Sequence, residues 1–269
     1  MGLRSSICSF NGNSDLYGIG VRIGLYLQWI ATLLVTLFDP AEEEIYRIIN
    51  LIIQCALFLG LCAQTDQANV LDPVIVGFLM CGSLSSLTGD NVGYMKHVLG
   101  LARIVFYAAL SAYGCWFWFK GLDGMIQPGC DAIAFFGTSR VDGWVRKLAK
   151  FLSVTGLSVS AAGVVYSCFA TISRLRAILQ KRQSKSTRKR PQVEIGLLCL
   201  STSLIAFSIA VIEYIVFKNN ITGISNIESV GQFIPFLVGI FSSAMAVWKI
   251  LIEGLIWKKR CWFLFGKHL

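Results

Sequence analysis

Charge is what this chain has least of. Of its 269 residues only 14% are Asp, Glu, Lys or Arg, against about a quarter in a soluble domain, and 55% are hydrophobic. That balance excludes an ordinary water-soluble domain and points to the membrane class. Proline is scarce as well, at five residues, so long helices can run with few interruptions. Histidine is nearly missing: His97 and His268 lie far apart, and the nine cysteines include no C-x-x-C pair, so neither a metal site nor a cofactor is expected. The residues before Tyr17 lack the apolar core of a cleaved signal peptide, so the first apolar stretch is expected to insert and stay.

What the chain has instead is a series of apolar runs. A spanning helix needs about 20 mainly apolar residues, and seven stretches approach this: 17–38, 45–63, 72–87, 98–119, 151–172, 195–217 and 233–257. The expected fold is therefore all-α, a polytopic integral membrane protein built as a bundle of about seven transmembrane helices. It divides into an outward segment 1–16, a transmembrane domain 17–257 and a basic tail 258–269. Within the domain, 120–150 is an outward connection whose Phe135, Phe136 and Trp144 suit the membrane interface, and 173–193 is a basic loop. Asp39-Pro40 and Asp72-Pro73 read as helix starts, with aspartate as cap and proline in the first turn.

Orientation follows from where the cations are. Arg174, Arg176, Lys181, Arg182, Lys185, Arg188, Lys189 and Arg190 crowd one loop, which should be cytosolic; seven spans then place the tail in the cytosol and the N-terminus outside or in a lumen. Met1-Gly2 with Ser6 matches a myristoylation pattern that would demand the opposite, and the many-residue charge bias outweighs it. The net charge of +9 sits beside membrane ends, where each cation near anionic lipid is worth about 1 kcal/mol. The partner it implies is the lipid bilayer, not nucleic acid; oligomeric state is not legible. Plasma membrane and endomembrane are equally compatible.

On the outer side, Asn220-Ile221-Thr222 is a glycosylation sequon, and Cys8 and Cys130 could pair in an oxidising compartment. Cys55, Cys81, Cys168 and Cys199 fall inside spans, as small apolar fillers. Cys261, after Lys258-Lys259-Arg260, suits palmitoylation.

Polar side chains inside spans are costly and are the candidate sites. In the first span Gly18, Arg22, Tyr26 and Trp29 share one helical face, and Gly20, Gly24 and Ala31 nearly the opposite one, with Gln28 at its edge. Gly20 and Gly24 have the spacing that lets another backbone approach. Arg22 could snorkel, pair with Asp15 or face an anion inside. Arg47, Asn50 and Gln54 line one face of the second span. Arg103 and Tyr107 repeat the spacing of Arg22 and Tyr26, a likeness short enough to be chance. Lys249 and Glu253 can neutralise each other at i,i+4. Glu213 has no opposite charge three or four residues away, which makes it the carboxylate of interest.

The pattern D-x-x-G-x-G-V-R-x-x-x-Y-x-Q, here Asp15, Gly18, Gly20, Val21, Arg22, Tyr26 and Gln28, resembles the opening of a broad group of filamentous-fungal multi-pass membrane proteins of unassigned function. The resemblance covers the first span and its approach. It implies a fungal membrane protein and carries no catalytic residues. Some such proteins accompany specialised-metabolite pathways, which implies an accessory role handling a lipophilic small molecule.

Three functions compete. One is binding or handling of a lipophilic small molecule by Arg22, Tyr26, Asn50, Gln54, Arg103 and Tyr107. Another is a membrane-embedded cyclase for a polyene or terpenoid, with Glu213 as the acid. The last is a receptor or transporter, from the seven-span layout alone.

Overall fold

The computed structural model describes residues 10–39, 42–64, 69–84, 98–125, 132–137, 139–179, 195–227 and 229–265; side chains at 98–99, 171, 174–179, 195, 197 and 253–265 are not included. Cys8, Cys130, Pro40, His97 and His268 lie outside this set, as do the side chains of Cys261, Glu253 and the basic residues from Arg174 to Arg190. The described chain is mostly helical, with one small hairpin and one isolated bridge.

A single turn α1 (Ser14–Tyr17) leads into α2 (Ile19–Phe38). There follow α3 (Glu43–Ala63), α4 (Leu71–Ser83) and α5 (Val98–Trp116), which passes through a π turn (Phe117–Gly121) into the short α6 (Leu122–Met125). A hairpin of β1 (Ile133–Phe135) and β2 (Ser139–Arg140) precedes the long helices α7 (Trp144–Leu179), α8 (Ile195–Lys218) and α9 (Val230–Phe265). Six helices are long and apolar enough to cross a membrane, and the chain is a multi-pass helical bundle. Of the third expected span, 72–87, the described residues include α4, 13 residues long and about 20 Å at 1.5 Å per residue; residues 85–87 lie outside the described set.

The two aspartate caps also differ. Asp72 lies inside the first turn of α4, where its Oδ2 accepts the Asn69 N–H at 2.9 Å and its Oδ1 accepts the Tyr17 hydroxyl at 2.5 Å. Asp39 ends α2 and pairs with Lys249, which also lies 3.2 Å from Glu42. Lys249 therefore serves the α2–α3 turn rather than only its own helix.

The small stripe of α2 packs against α9. A methyl built on Gly20 would lie 2.9 Å from the Gln232 carbonyl oxygen, one on Gly24 would strike the Pro235 carbonyl, and one on Gly239 would strike the Gly24 carbonyl. Ser243 donates to the Leu27 carbonyl at 3.0 Å, and Ala31 and Ala246 are buried at the same seam. The matching stripe on α9, Gly239, Ser242, Ser243 and Ala246, was present in the sequence at small-residue spacing. Helices α5 and α7 meet likewise, Gly114 opposite Ser153 and Gly156 opposite Ser111.

Within the connection 120–150, the described residues form α6, the hairpin and the first residues of α7. Helix α7 begins at Trp144, and Arg146 in its first turn is paired locally: its Nη1 and Nη2 donate to Asp123 at 2.6 and 2.8 Å and its Nε to the Trp118 carbonyl at 3.0 Å. Asn219 donates to the Ile133 carbonyl at 2.8 Å and accepts its N–H at 2.9 Å, docking the hairpin on the end of α8. Phe135 then stacks among Phe78, Phe207 and Trp144, while Phe136 and Trp144 keep exposed faces.

Past α8 the chain turns at Asn220, with φ of 47°. The Ile221 N–H reaches the Val216 carbonyl and the Asn220 N–H the Phe217 carbonyl, both at 3.3 Å. This is a Schellman stop with asparagine in the left-handed position. The next residues form a parallel bridge between Asn11 and Thr222, so residues 10–12 are stitched to the α8–α9 turn. Asn220 is exposed, as a sequon requires, yet its conformation already explains its presence. Asn220→Gly should leave stability within about 0.5 kcal/mol, whereas Asn220→Val should cost about 1–2 kcal/mol, read by thermal denaturation in detergent; equal effects would contradict the left-handed cap.

Candidate functional site

The site forms at the end of the bundle that holds the start of α2 and the end of α8. Arg22 is one turn past Gly18, on the face of α2 away from α9, so its side chain is carried into the bundle and is only 6% exposed. Its Nη1 meets Glu213 Oε2 at 2.5 Å, and the Tyr26 hydroxyl donates to Glu213 Oε1 at 2.9 Å. The two α2 residues are i,i+4 and so present their polar ends to the same point. Arg22 neither snorkels nor pairs with Asp15, whose carboxylate accepts the Ser229 hydroxyl instead.

The electrostatics are lopsided. Glu213 is 48% exposed, while Arg22 is enclosed and its Nε has no hydrogen-bond partner. A buried guanidinium is tolerable only with a counter-charge close by, and Glu213 supplies it from the rim. The base of the site is aromatic: the Tyr26 and Trp29 rings are 5.4 Å apart, and Trp29, wholly buried, donates to Ser83 Oγ at 2.9 Å across to α4. Tyr17 of α1 and Asp72 of α4 are joined by a buried hydrogen bond.

The other sequence candidates gather elsewhere, between α2, α3 and α5. Arg47, Asn50 and Gln54 are all buried on one face of α3, as their spacing suggests. Arg47 pairs with Glu43, Glu43 also accepts the Thr36 hydroxyl at 2.6 Å, and Asn50 donates to Thr32 Oγ1 at 2.9 Å. The Tyr107 hydroxyl lies 3.4 Å from Gln54 Oε1, and Arg103 is buried one turn away on α5. The likeness of Arg22–Tyr26 to Arg103–Tyr107 thus does not bring the two pairs to one place.

Compared with protein-family models, curated proteins and solved structures, the chain matches none. Its reading rests on its own geometry.

Three buried polar residues of α2 were not legible as candidates. Gln28 is fully buried at the centre of α2, though the sequence put it only at the edge of a packing stripe. Thr32 and Thr36 extend the polar line; mid-span threonines four residues apart, beside Gln28, were the available signal. Chemically, the Arg22–Tyr26–Glu213 group can hold and orient a polar head. It is poorly suited to start a reaction by protonation, because both Glu213 oxygens already accept hydrogen bonds.

Proposed function

We propose that this protein binds and handles a lipophilic small molecule in the membrane without carrying out chemistry on it. The observation that carries the reading is the convergence of Arg22, Tyr26 and Glu213: an enclosed cation and a half-buried phenol hold a carboxylate that remains half open at the rim of an apolar bundle. Ionisable groups kept within a span mark binding sites or pathways. The group offers a polar head both an acceptor, Glu213, and donor capacity, the unpartnered Arg22 Nε. The apolar body lies along the surrounding helix faces.

The cyclase reading loses support, since its acid would have to be Glu213, whose oxygens are both occupied. The orientation that accompanies the binding role has the N-terminus and the α8–α9 turn outside or in a lumen and the basic residues from Arg174 to Arg190 in the cytosol. The setting we infer, from the N-terminal resemblance, is accessory to a fungal specialised-metabolite pathway.

The test is metabolite profiling of a deletion strain complemented with wild type, Glu213→Gln or Arg22→Met, each matched for membrane abundance. Deletion should change the lipophilic metabolite profile, wild type should restore it, and neither variant should. A profile unaffected by deletion, or restored equally by both variants, contradicts the proposal.

A further inference from the structure

Gln28 is used by none of the contacts described above. It lies at the midpoint of α2 (Ile19–Phe38), is 0% exposed, and neither its Nε2 nor its Oε1 has a hydrogen-bond partner. A buried amide left unmet on both sides is among the costlier features a bundle can retain. The same layer holds a second example. Asn50, also 0% exposed, donates through Nδ2 to Thr32 Oγ1 at 2.9 Å, and its Oδ1 has no partner. Thr32 in turn donates to the Gln28 carbonyl at 2.8 Å, so Gln28 stands one turn above the Thr32–Asn50 contact on nearly the same face. Because α2 and α3 run antiparallel, Gln54 comes to the level of Gln28 when Asn50 is at the level of Thr32. A donor (Gln28 Nε2) and two acceptors (Gln28 Oε1 and Asn50 Oδ1) are therefore enclosed in the middle of an apolar bundle.

We infer that Gln28 and Asn50 form a binding site for a single O–H group at the centre of the bundle. The O–H oxygen accepts from Gln28 Nε2, and its hydrogen is donated to Asn50 Oδ1. This complementarity selects a neutral group that both accepts and donates. A carboxylate could not donate, an ammonium could not accept, and a hydrocarbon could do neither. The group belongs either to an enclosed water or to the hydroxyl of a lipophilic alcohol, which share the same chemistry here. The site is separate from the Arg22–Tyr26–Glu213 group and does not depend on the role proposed for it.

The experiment uses the full chain purified in detergent. Met has nearly the shape of Gln without its amide. If the amide were unmet, Gln28→Met would melt at or above the wild-type temperature, because an uncompensated burial has been removed. If it holds an O–H group, Gln28→Met should melt about 3 °C lower. Asn50→Leu, alone and combined with Gln28→Met, completes a cycle in which the lost Thr32 contact is common to both backgrounds and cancels. A shared O–H group makes the penalties strongly non-additive; additive penalties, or a Gln28→Met melting point that does not fall, overturn the inference. Farnesol and the hydrocarbon farnesene then assign the source. Stabilisation by farnesol but not farnesene, lost in Gln28→Met, supports a ligand hydroxyl; no stabilisation with coupling retained supports enclosed water.

Discussion

Gly24→Val is expected to prevent the bundle from assembling, with a loss of about 3 kcal/mol or more, at the upper end of overpacking penalties. A side chain at Gly24 would meet the carbonyl of Pro235 and the backbone nitrogen of Phe236, while the Gly24 carbonyl is itself pressed against Gly239. These are backbone atoms of two helices in direct contact, so no rotamer change can make room. Nor can α9 back away cheaply, because Ser243 is tied to the Leu27 carbonyl and Lys249 to Asp39 along the same seam. Gly77, with nothing within 4 Å of a built methyl, is the control. Gly77→Ala should be neutral or gain up to about 1 kcal/mol, since alanine is the better helix former. Thermal melting and monodispersity in detergent read both variants. A Gly24→Val protein that elutes and melts like wild type would refute the close α2–α9 crossing.

The Arg22–Glu213 pair should respond asymmetrically. Glu213→Ala strands a guanidinium that is 94% enclosed (6% exposed) and is expected to cost about 3–5 kcal/mol, the range for breaking a buried pair from one side. Arg22→Met keeps the buried stem and leaves only Glu213, half exposed and able to find water or headgroups. Its cost should be about 1 kcal/mol or less, as for exposed pairs. Combining Arg22→Met with Glu213→Ala should recover most of the stability lost by Glu213→Ala alone, because the stranded charge is gone. Chemical denaturation in detergent measures all three. Equal penalties for the two single variants would mean that the carboxylate is as enclosed as the guanidinium, and the site would be a closed structural tie rather than an open one.

Much of the architecture was legible because its causes are local. Hydrophobic runs of spanning length mark helices whatever surrounds them, and the Gly20–Gly24 spacing marks a close crossing whatever helix supplies the other side. The limits of that reading are equally specific. Arg146 looks like loop by charge, yet it stands in the first turn of α7 and is paired with Asp123, 23 residues away. Asp72 looks like a cap and is instead the acceptor for Tyr17, 55 residues earlier.

For the polar residues, helical periodicity alone determined which side chains share a face: Arg22 with Tyr26, and Arg47 with Asn50 and Gln54. What only the tertiary structure decided is what each face meets. Glu213 reaches Arg22 across 191 residues of sequence, and Gln28 is enclosed although it flanks a packing stripe. The physical reason is that a side chain's angle around its helix follows from the local 3.6-residue turn. The order and rotation of the helices around one another come from packing among all of them, which no single stretch encodes.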